Sequence, residues 1–295
     1  MNTIETEYRQ FYNTYQHILS SGDYDYLCLH LQASRGNWAF RLYREADPSF
    51  CEDSFCHFLI DRKMLRYTEK VLDSGADMPG VCGLQGVLTR YDYALCRRTP
   101  GNIRALLAEI DSVFQTGEKN RMLRSRFLSF DHAVGNNDTE SRGQIGAGSE
   151  TGSAESWLYH LGFVYEGQEL TTVKYYFTSR DPAVMEKLSG KISRQYDSLL
   201  ERAAALVKED SAQFWMAGLD TARDTCKCKI YLRHFRSFYS LAGIIREYFD
   251  ENIQILFQEI QGWSMTHPEL WFVGIALGLE SEGESTINLY FSSSD

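Results

Sequence analysis

Polar and apolar side chains alternate with a period of two in residues 226–235, CKCKIYLRHF, which predicts a β-strand. One face of this strand carries cations and a phenol, namely Lys227, Lys229, Tyr231 and Arg233. The other face carries Cys228, Ile230 and Leu232, which need an apolar partner. The cationic face could point to water or into a cavity that holds an anion, and this strand alone does not decide between the two.

An apolar strand, a polar turn and a second strand follow one another in four places along the chain, which predicts four β-hairpins. They begin at Tyr26, Trp157, Phe214 and Leu270. The second strands end in Arg41-Leu42-Tyr43, Lys174-Tyr175-Tyr176, Lys229-Ile230-Tyr231 and Asn288-Leu289-Tyr290. The recurring cation-x-Tyr ending, with Asn in place of the cation in the last hairpin, indicates one structural unit used several times.

Segments with apolar residues at three- and four-residue spacing separate the hairpins and predict helices. They cover Thr3–Leu19, Glu52–Leu72, Ile103–Phe114, Pro182–Val207 and Tyr239–Trp263, the last two as helix pairs or interrupted helices. A fifth hairpin is expected between Val81 and Val134, where VCGLQGVLTRYDYALCRR and RMLRSRFLSFDHAV both suit strands. The predicted order is therefore helix, hairpin and helix, repeated along the chain.

This order predicts an α+β fold, a ten-stranded antiparallel β-barrel built from five αββα units with a ring of helices outside. The helices would cover the apolar strand faces, which carry Phe40 and Leu42, Val173, Tyr175 and Phe177, Cys228, Ile230 and Leu232, and Ile287, Leu289 and Phe291. The faces with cations and tyrosines would then line a solvent-accessible lumen. A sandwich or an open sheet with these faces in water is the alternative.

The chain has 295 residues, of which 43% are hydrophobic, so it can bury a large core, and its length alone would allow one or two domains. We expect a single domain over residues 1–295, with a flexible surface loop at about residues 135–155, where Gly, Ser and Asn dominate. The net charge of -10 opposes binding to nucleic acid. The absence of a signal peptide or a long apolar run favours a cytoplasmic protein that binds no membrane, with its seven cysteines reduced.

The repeated units, with their endings FRLY, VKYY, CKIYLR and INLY, resemble the aromatic prenyltransferases of the ABBA (α-β-β-α) barrel type. The resemblance extends over nearly the whole chain. The length and the AGLD segment ahead of Lys229 look most similar to the small cyanobacterial members that prenylate peptides or indole alkaloids. The resemblance implies transfer of a dimethylallyl group from dimethylallyl diphosphate to an electron-rich aromatic small molecule or peptide, through an allylic carbocation in the lumen.

Residue roles follow from matching this sequence to the family pattern. The positions that would bind diphosphate are Arg41, Lys174 and Lys229, with Lys227 and Arg233 as additions. The positions that would shield the carbocation are Tyr43, Tyr176, Tyr231 and Tyr290. Fixed positive charge in a water-poor site favours departure of the diphosphate, and the faces of phenol rings stabilise a cation without capturing it.

The catalytic base and the metal requirement stay open at this level. Relatives often use a glutamate on an early barrel strand, but the first hairpin, YLCLHLQ, offers only His30 and Gln32. Asp92 and Asp220 are the candidate bases, unless they are ordinary turn or cap residues. Some relatives bind Mg²⁺ with the diphosphate and others do not, and no acidic cluster decides between them here.

Two other kinds of function fit the same pattern. A non-catalytic barrel that binds an anionic or aromatic small molecule would explain the lumen equally well. An interaction protein with hairpins facing solvent would have no deep pocket. The tryptophans near the hairpin strands, Trp38, Trp157, Trp215 and Trp271, favour a flat aromatic partner, and an indole would react with the least help from a base.

Overall fold

The computed structural model describes residues 3–32, 38–45, 54–73, 88–114, 117–118, 120–122, 124–125, 158–166, 169–178, 197–210, 212–223, 225–235, 238–248, 251–280 and 285–293. The predicted loop at residues 135–155 lies outside the described residues.

The described strands form five consecutive antiparallel hairpins. These are β1 (Tyr26–Gln32) with β2 (Trp38–Glu45), β3 (Leu65–Asp73) with β4 (Leu88–Leu95), β5 (Leu158–Glu166) with β6 (Glu169–Phe177), β7 (Gln213–Ala222) with β8 (Cys226–Arg233), and β9 (Leu270–Glu280) with β10 (Ser285–Ser293). Each strand pairs with its neighbours in the chain, and β1 also pairs with β10. The sheet is therefore a closed barrel, which confirms the predicted architecture and rules out a sandwich.

Helices lie between the hairpins, as the apolar spacing predicted. They are α1 (Thr3–Thr14), α2 (Gln16–Leu19), α3 (Ser54–Asp61), α4 (Pro100–Val113), α5 (Asp197–Asp210), α6 (Leu241–Tyr248) and α7 (Glu251–Thr266), with a 3₁₀ turn at Phe238–Ser240. The hydroxyl of Thr99 caps α4 by accepting a hydrogen bond from the backbone amide of Asn102. In the part of the chain that the structure describes, no helix has the length and apolar character needed to cross a membrane.

The second hairpin differs from the sequence prediction. The helix expected over Glu52–Leu72 ends at Asp61, because Lys63 adopts a left-handed conformation with φ of 51° that stops the helix. The following residues, LRYTEKVLD, form β3 and pair with β4, which comes from the first of the two candidate stretches. In the second stretch, residues 121–122 and 124–125 are helical. The hairpin expected between Val81 and Val134 is therefore the second along the chain, and it begins earlier, at Leu65.

The apolar strand faces point outward and form the main core under the helices. All the residues predicted for this layer are buried in one cluster: Phe40, Leu42, Val173, Tyr175, Phe177, Cys228, Ile230, Leu232, Ile287, Leu289 and Phe291. Phe163 of β5 stacks on Phe55 of α3, with ring centroids 4.4 Å apart. Trp263 of α7 packs against Phe40 and Phe291 of the barrel. Because the helices bury this side of the sheet, the cation and tyrosine faces line the lumen.

Candidate functional site

Strand direction explains why the functional side chains form layers in the lumen. The second strand of every hairpin runs in the same direction, because each is separated from the next by one antiparallel strand. The cation-x-Tyr endings therefore place their cations at one level of the barrel and their tyrosines at the next level. A motif that is weak in a single strand becomes a layered site when the barrel closes.

The cationic level encloses a pocket of about 390 Å³. Its charged and polar lining includes Arg41, Arg90, Lys174, Lys227 and Lys229, together with His30 and Asp220. The side chains of Lys174 and Lys229 expose 13% and 8% of their surface, so both ammonium groups have lost most of their water. Buried cations at this density favour an anionic ligand.

Glycines on the neighbouring strands make room for these long side chains. Lys229 lies opposite Gly218 on β7 and Gly278 on β9, and Lys174 lies opposite Gly162 on β5. A β-carbon on Gly218 would lie 3.2 Å from the ring of Tyr231 and 3.4 Å from the β-carbon of Lys229. The strands between the cationic strands thus leave the space into which the lysines extend.

Asp220 compensates the charge of two of the lysines. Its Oδ2 accepts hydrogen bonds from Lys174 Nζ at 2.9 Å and from Lys229 Nζ at 2.5 Å. Burial opposes ionisation of this carboxyl, but the two ammonium groups outweigh it and hold the pKa of Asp220 well below its usual value. A carboxylate that stays ionised under these conditions is a poor base. Asp220 is a lumen residue within β7, not a turn or a cap.

Lys174 is a buried cation whose charge is costly in the free pocket. Burial lowers the pKa of Lys174 well below its usual value, and the nearby charges of Lys229 and Arg90 lower it further. Among the main influences on Lys174, only the ion pair and hydrogen bond with Asp220 raise its pKa. An incoming anion would relieve this strain on the ammonium group, so the free pocket is electrostatically prepared for one.

Arg90 of β4 is a lumen cation that the cation-x-Tyr pattern missed. Its guanidinium forms a salt bridge with Asp92, with Nε 3.0 Å from Oδ1 and Nη2 in contact with Oδ2. It also donates to the hydroxyls of Tyr43, at 3.1 Å, and Tyr176, at 2.6 Å. The second hairpin carries the same spacing with Asp in place of Tyr, and that signal could have revealed Arg90. Asp92 lies within β4 with both carboxylate oxygens engaged by this guanidinium.

The four predicted tyrosines form a continuous layer next to the cationic pocket. Ring centroids are 6.0 Å apart between Tyr43 and Tyr290, 6.3 Å between Tyr290 and Tyr231, and 5.9 Å between Tyr231 and Tyr176. Arg90 completes the circle because it bonds to the hydroxyls of both Tyr43 and Tyr176. Burial raises the pKa of Tyr176, Tyr231 and Tyr290 well above its usual value, so the rings stay neutral phenols.

His30 lies on β1 opposite Asn288 of β10, where the last hairpin lacks its cation. His30 Nδ1 lies 2.5 Å from the side-chain oxygen of Asn288, whose amide nitrogen donates to the hydroxyl of Tyr290 at 3.2 Å. Burial lowers the pKa of His30 well below its usual value, and Arg41, Lys227 and Lys229 lower it further. The imidazole is therefore neutral in the free pocket.

Arg233 occupies a different environment from the other predicted cations. It follows Tyr231 on the same face of β8, so it lies beyond the tyrosine layer as seen from Lys229. Its side chain is exposed, and its guanidinium lies over the ring of Trp215 at 5.6 Å. Arg233 is not among the residues that line the pocket.

The donor groups in the described part of the lumen do not suit Mg²⁺. This ion prefers several carboxylate, phosphate or water oxygens. Across the described residues no group of three or more His, Cys, Asp or Glu side chains comes together. Asp92 and Asp220 are already held by Arg90 and by two lysines, which leaves Glu166 as the remaining carboxylate in the described lining of the pocket.

The chain has the same fold as several solved prenyltransferases. NotF prenyltransferase matches with a TM-score of 0.59 and 10% identity, over 98% of this chain and 89% of that one. AnaPT from Neosartorya fischeri matches with a TM-score of 0.55 and 13% identity, over 92% and 78%. A 6-dimethylallyltryptophan synthase from Micromonospora olivasterospora, in complex with DMASPP and Trp, matches with a TM-score of 0.53 and 10% identity, over 90% and 81%.

These matches confirm the predicted resemblance at the level of the fold. By sequence, no protein-family model and no curated protein matches the chain. At identities of 10–13% the shared property is the barrel architecture, and residue roles rest on the geometry of this lumen.

Replacing Asp220 with Asn tests whether the carboxylate compensates the buried lysines. We expect Asp220→Asn to lower the free energy of unfolding by about 3 kcal/mol, because it leaves two buried ammonium groups without their counter-charge. Asp23→Asn is the matched control, since Asp23 pairs with Arg44 at the surface, and its loss should stay below about 1 kcal/mol. Denaturant unfolding measures both. Equal small losses would contradict a compensating role for Asp220.

Proposed function

We propose that the chain is a prenyltransferase that transfers a dimethylallyl group from dimethylallyl diphosphate to an electron-rich aromatic acceptor. The observation that carries this proposal is a cationic pocket inside the barrel that is joined through Arg90 to a layer of four tyrosine rings. The first element suits a diphosphate and the second suits an allylic carbocation. The fold shared with solved prenyltransferases supports the same reading.

The cationic pocket would bind and stabilise the diphosphate. Arg41, Lys174, Lys227 and Lys229 supply positive charge from three strands of the closed barrel. As the bond between the allylic carbon and the bridging oxygen breaks, its electron pair stays on the diphosphate, and buried cations stabilise that growing negative charge more strongly than water does. Arg233 is left out of this set because it lies beyond the tyrosine layer.

The tyrosine layer would stabilise the carbocation and keep water from it. Tyr43, Tyr176, Tyr231 and Tyr290 are all buried, and adjacent rings in the layer contact one another. The negative faces of aromatic rings attract a cation by about 0.5–2 kcal/mol each, depending on how far the site excludes water. Hydrogen bonds from Arg90 to two of the hydroxyls fix the rings in place.

The acceptor would approach the carbocation from the other side of the tyrosine layer, where further aromatic rings lie. Tyr26 packs against Trp215 with ring centroids 6.5 Å apart and against Tyr290 at 6.2 Å. Flat rings stack well on such a surface. A ring carbon of the acceptor would form the new bond to the allylic cation, and loss of its proton would restore aromaticity.

We propose an indole as the acceptor, either free or as a peptide side chain. Asp92 and Asp220 are both held in ion pairs in the free lumen, which makes these two candidate carboxylates poor bases. An indole carbon is nucleophilic without prior deprotonation, whereas a phenol gains most from a base. One of the matching structures is NotF in complex with brevianamide F and DMSPP, and another contains Trp.

Diphosphate binding in this proposal uses the protein's own cations. Asp92 and Asp220 are already paired with cationic side chains, so the described lining would offer Mg²⁺ few ligands besides Glu166. We therefore expect the reaction to proceed in the presence of a chelator. A non-catalytic barrel that binds the same ligands is the second candidate, since the pocket and the aromatic layer would also suit ligand storage.

Turnover separates the two candidates. We expect the protein to add one isoprene unit to an indole when it is incubated with dimethylallyl diphosphate and EDTA, and to do so faster than with a phenol of matched size. Mass spectrometry of a competition between the two acceptors measures both results. Binding without any product would support the non-catalytic barrel, and a clear preference for the phenol would overturn only the choice of indole.

Removal of a pocket cation should weaken diphosphate binding. We expect Lys229→Met to reduce the affinity for inorganic diphosphate by about 10- to 100-fold, which corresponds to about 1.5–3 kcal/mol for a charge-assisted contact. Arg233→Met is the matched control on the same strand, and it should change the affinity by less than about threefold. Isothermal titration calorimetry compares the variants, with circular dichroism to verify folding. Similar losses in both variants would contradict this placement of the pocket.

Removal of a ring from the tyrosine layer should let water reach the carbocation. We expect Tyr231→Ala to increase the ratio of dimethylallyl alcohol to prenylated product by about tenfold or more, because a loss of about 1.4 kcal/mol in protection changes a ratio tenfold. Tyr231→Phe keeps the ring face and should stay close to the wild type. Product analysis by chromatography gives the ratio. Identical ratios for the Ala and Phe variants would show that the ring does not protect the cation.

A further inference from the structure

We propose that the pocket binds diphosphate together with one proton, which His30 takes up at Nε2, so that its imidazolium becomes an additional cation of the occupied site. The inference rests on the proposed diphosphate site and deepens it. It assigns a role to the one hairpin whose second strand has Asn288 where the others carry a cation.

The hydrogen bonds of His30 leave one ring nitrogen available for a ligand. Nδ1 lies 2.5 Å from the side-chain oxygen of Asn288, and a carboxamide oxygen can only accept, so Nδ1 carries the hydrogen. In this orientation the amide nitrogen of Asn288 also donates a hydrogen bond to the hydroxyl of Tyr290 at 3.2 Å. No hydrogen bond reaches Nε2 from the part of the chain that the structure describes, and His30 lines the pocket.

The charged groups that act most strongly on the imidazole in the free protein are cations, although Asp220 and Glu166 line the same pocket. Arg41 acts from β2, and Lys227 and Lys229 act from β8, while the facing residue on β10 is the neutral Asn288. On its own strand, the neighbouring lumen residue is the buried Cys28. Burial and these three cations keep the ring neutral, with an unprotonated Nε2 at the pocket.

A bound diphosphate favours the protonated imidazole for two reasons. Its negative charges compensate Arg41, Lys227 and Lys229, so the repulsion that opposes protonation of His30 becomes an attraction. In addition, an unprotonated Nε2 would face the diphosphate oxygens with its lone pair, whereas a protonated Nε2 can donate a charge-assisted hydrogen bond. The proton comes from solvent when the diphosphate binds and returns to solvent when the diphosphate leaves, so no further reactant is needed.

Uptake of a proton by His30 makes the affinity for diphosphate depend on pH. The protonated ring favours the anion, so the affinity should decrease as the pH rises from the pKa that His30 has in the free protein to the higher pKa that it has in the complex. The slope approaches about tenfold per pH unit for one proton, and the affinity levels off above the pKa of the complex. Ionisation of diphosphate itself acts in the opposite direction, since it increases the negative charge of the ligand with pH. The bound anion also changes the electrostatic surroundings of the buried Lys174, so a pH dependence measured on the whole protein would not identify His30, and its ring must be observed directly.

Nuclear magnetic resonance of protein labelled with ¹³C in its histidine rings observes that ring. His30→Asn identifies the resonance of His30, and it preserves an amide that can bond to Asn288. Without ligand we expect the His30 resonance to stay at its neutral position over about pH 5.5–8.5, and with saturating inorganic diphosphate we expect it to titrate within that range. In calorimetry, the affinity of His30→Asn should lose the decrease with pH that the wild type shows.

The outcomes separate the two proposals. Diphosphate binding with an unchanged His30 resonance, or equal pH dependence in the wild type and His30→Asn, overturns the proton linkage and leaves the diphosphate site intact. Absence of diphosphate binding in the wild type overturns both. A His30 resonance that titrates only with diphosphate present supports the linkage, because Lys174 cannot produce that signal.

Discussion

The buried ion pairs of Asp220 with Lys174 and Lys229 are the interaction on which the lumen depends. Two ammonium groups in a space largely closed to water repel each other and lose their hydration, so the free protein can keep both only with a carboxylate between them. The glycines opposite the lysines leave room for this arrangement. Arg90 with Asp92 repeats the same principle on β4, and its remaining donors hold two tyrosines.

Closure of the barrel separates the residues of the outer apolar core from the charged and phenolic residues of the lumen, which would carry the proposed chemistry. The outward strand faces form one apolar cluster with the helices, and this cluster supplies the hydrophobic burial that folding requires. The inward faces are then free to hold charges and phenols that a solid core would exclude. The tyrosines form a separate cluster with their own ring contacts, so a change in the lumen need not disturb the outer packing.

The proposed chemistry depends on exchange of one counter-charge for another. In the free protein Asp220 stabilises the lysines, while the neutral His30 adds no further positive charge. A diphosphate would bring its own negative charge to the same cations and make protonation of His30 favourable. In this proposal the pocket has two charge states, and the tyrosine layer adjoining it would accommodate the apolar part of the same ligand.

The sequence by itself determined which strand face is apolar, because side chains alternate strictly along a strand. The repeated hairpins then predicted the barrel, its outer core, and the lumen positions of Arg41, Lys174, Lys229 and the four tyrosines. It did not predict β3, since the end of α3 depends on the backbone conformation of Lys63. Only the tertiary structure decided that Arg233 lies beyond the tyrosines, that Asp220 bridges two lysines, and that Arg90 joins the layer. Periodicity specifies a face of one strand, whereas the level along the barrel and the partner across the lumen depend on how ten strands close around a common axis.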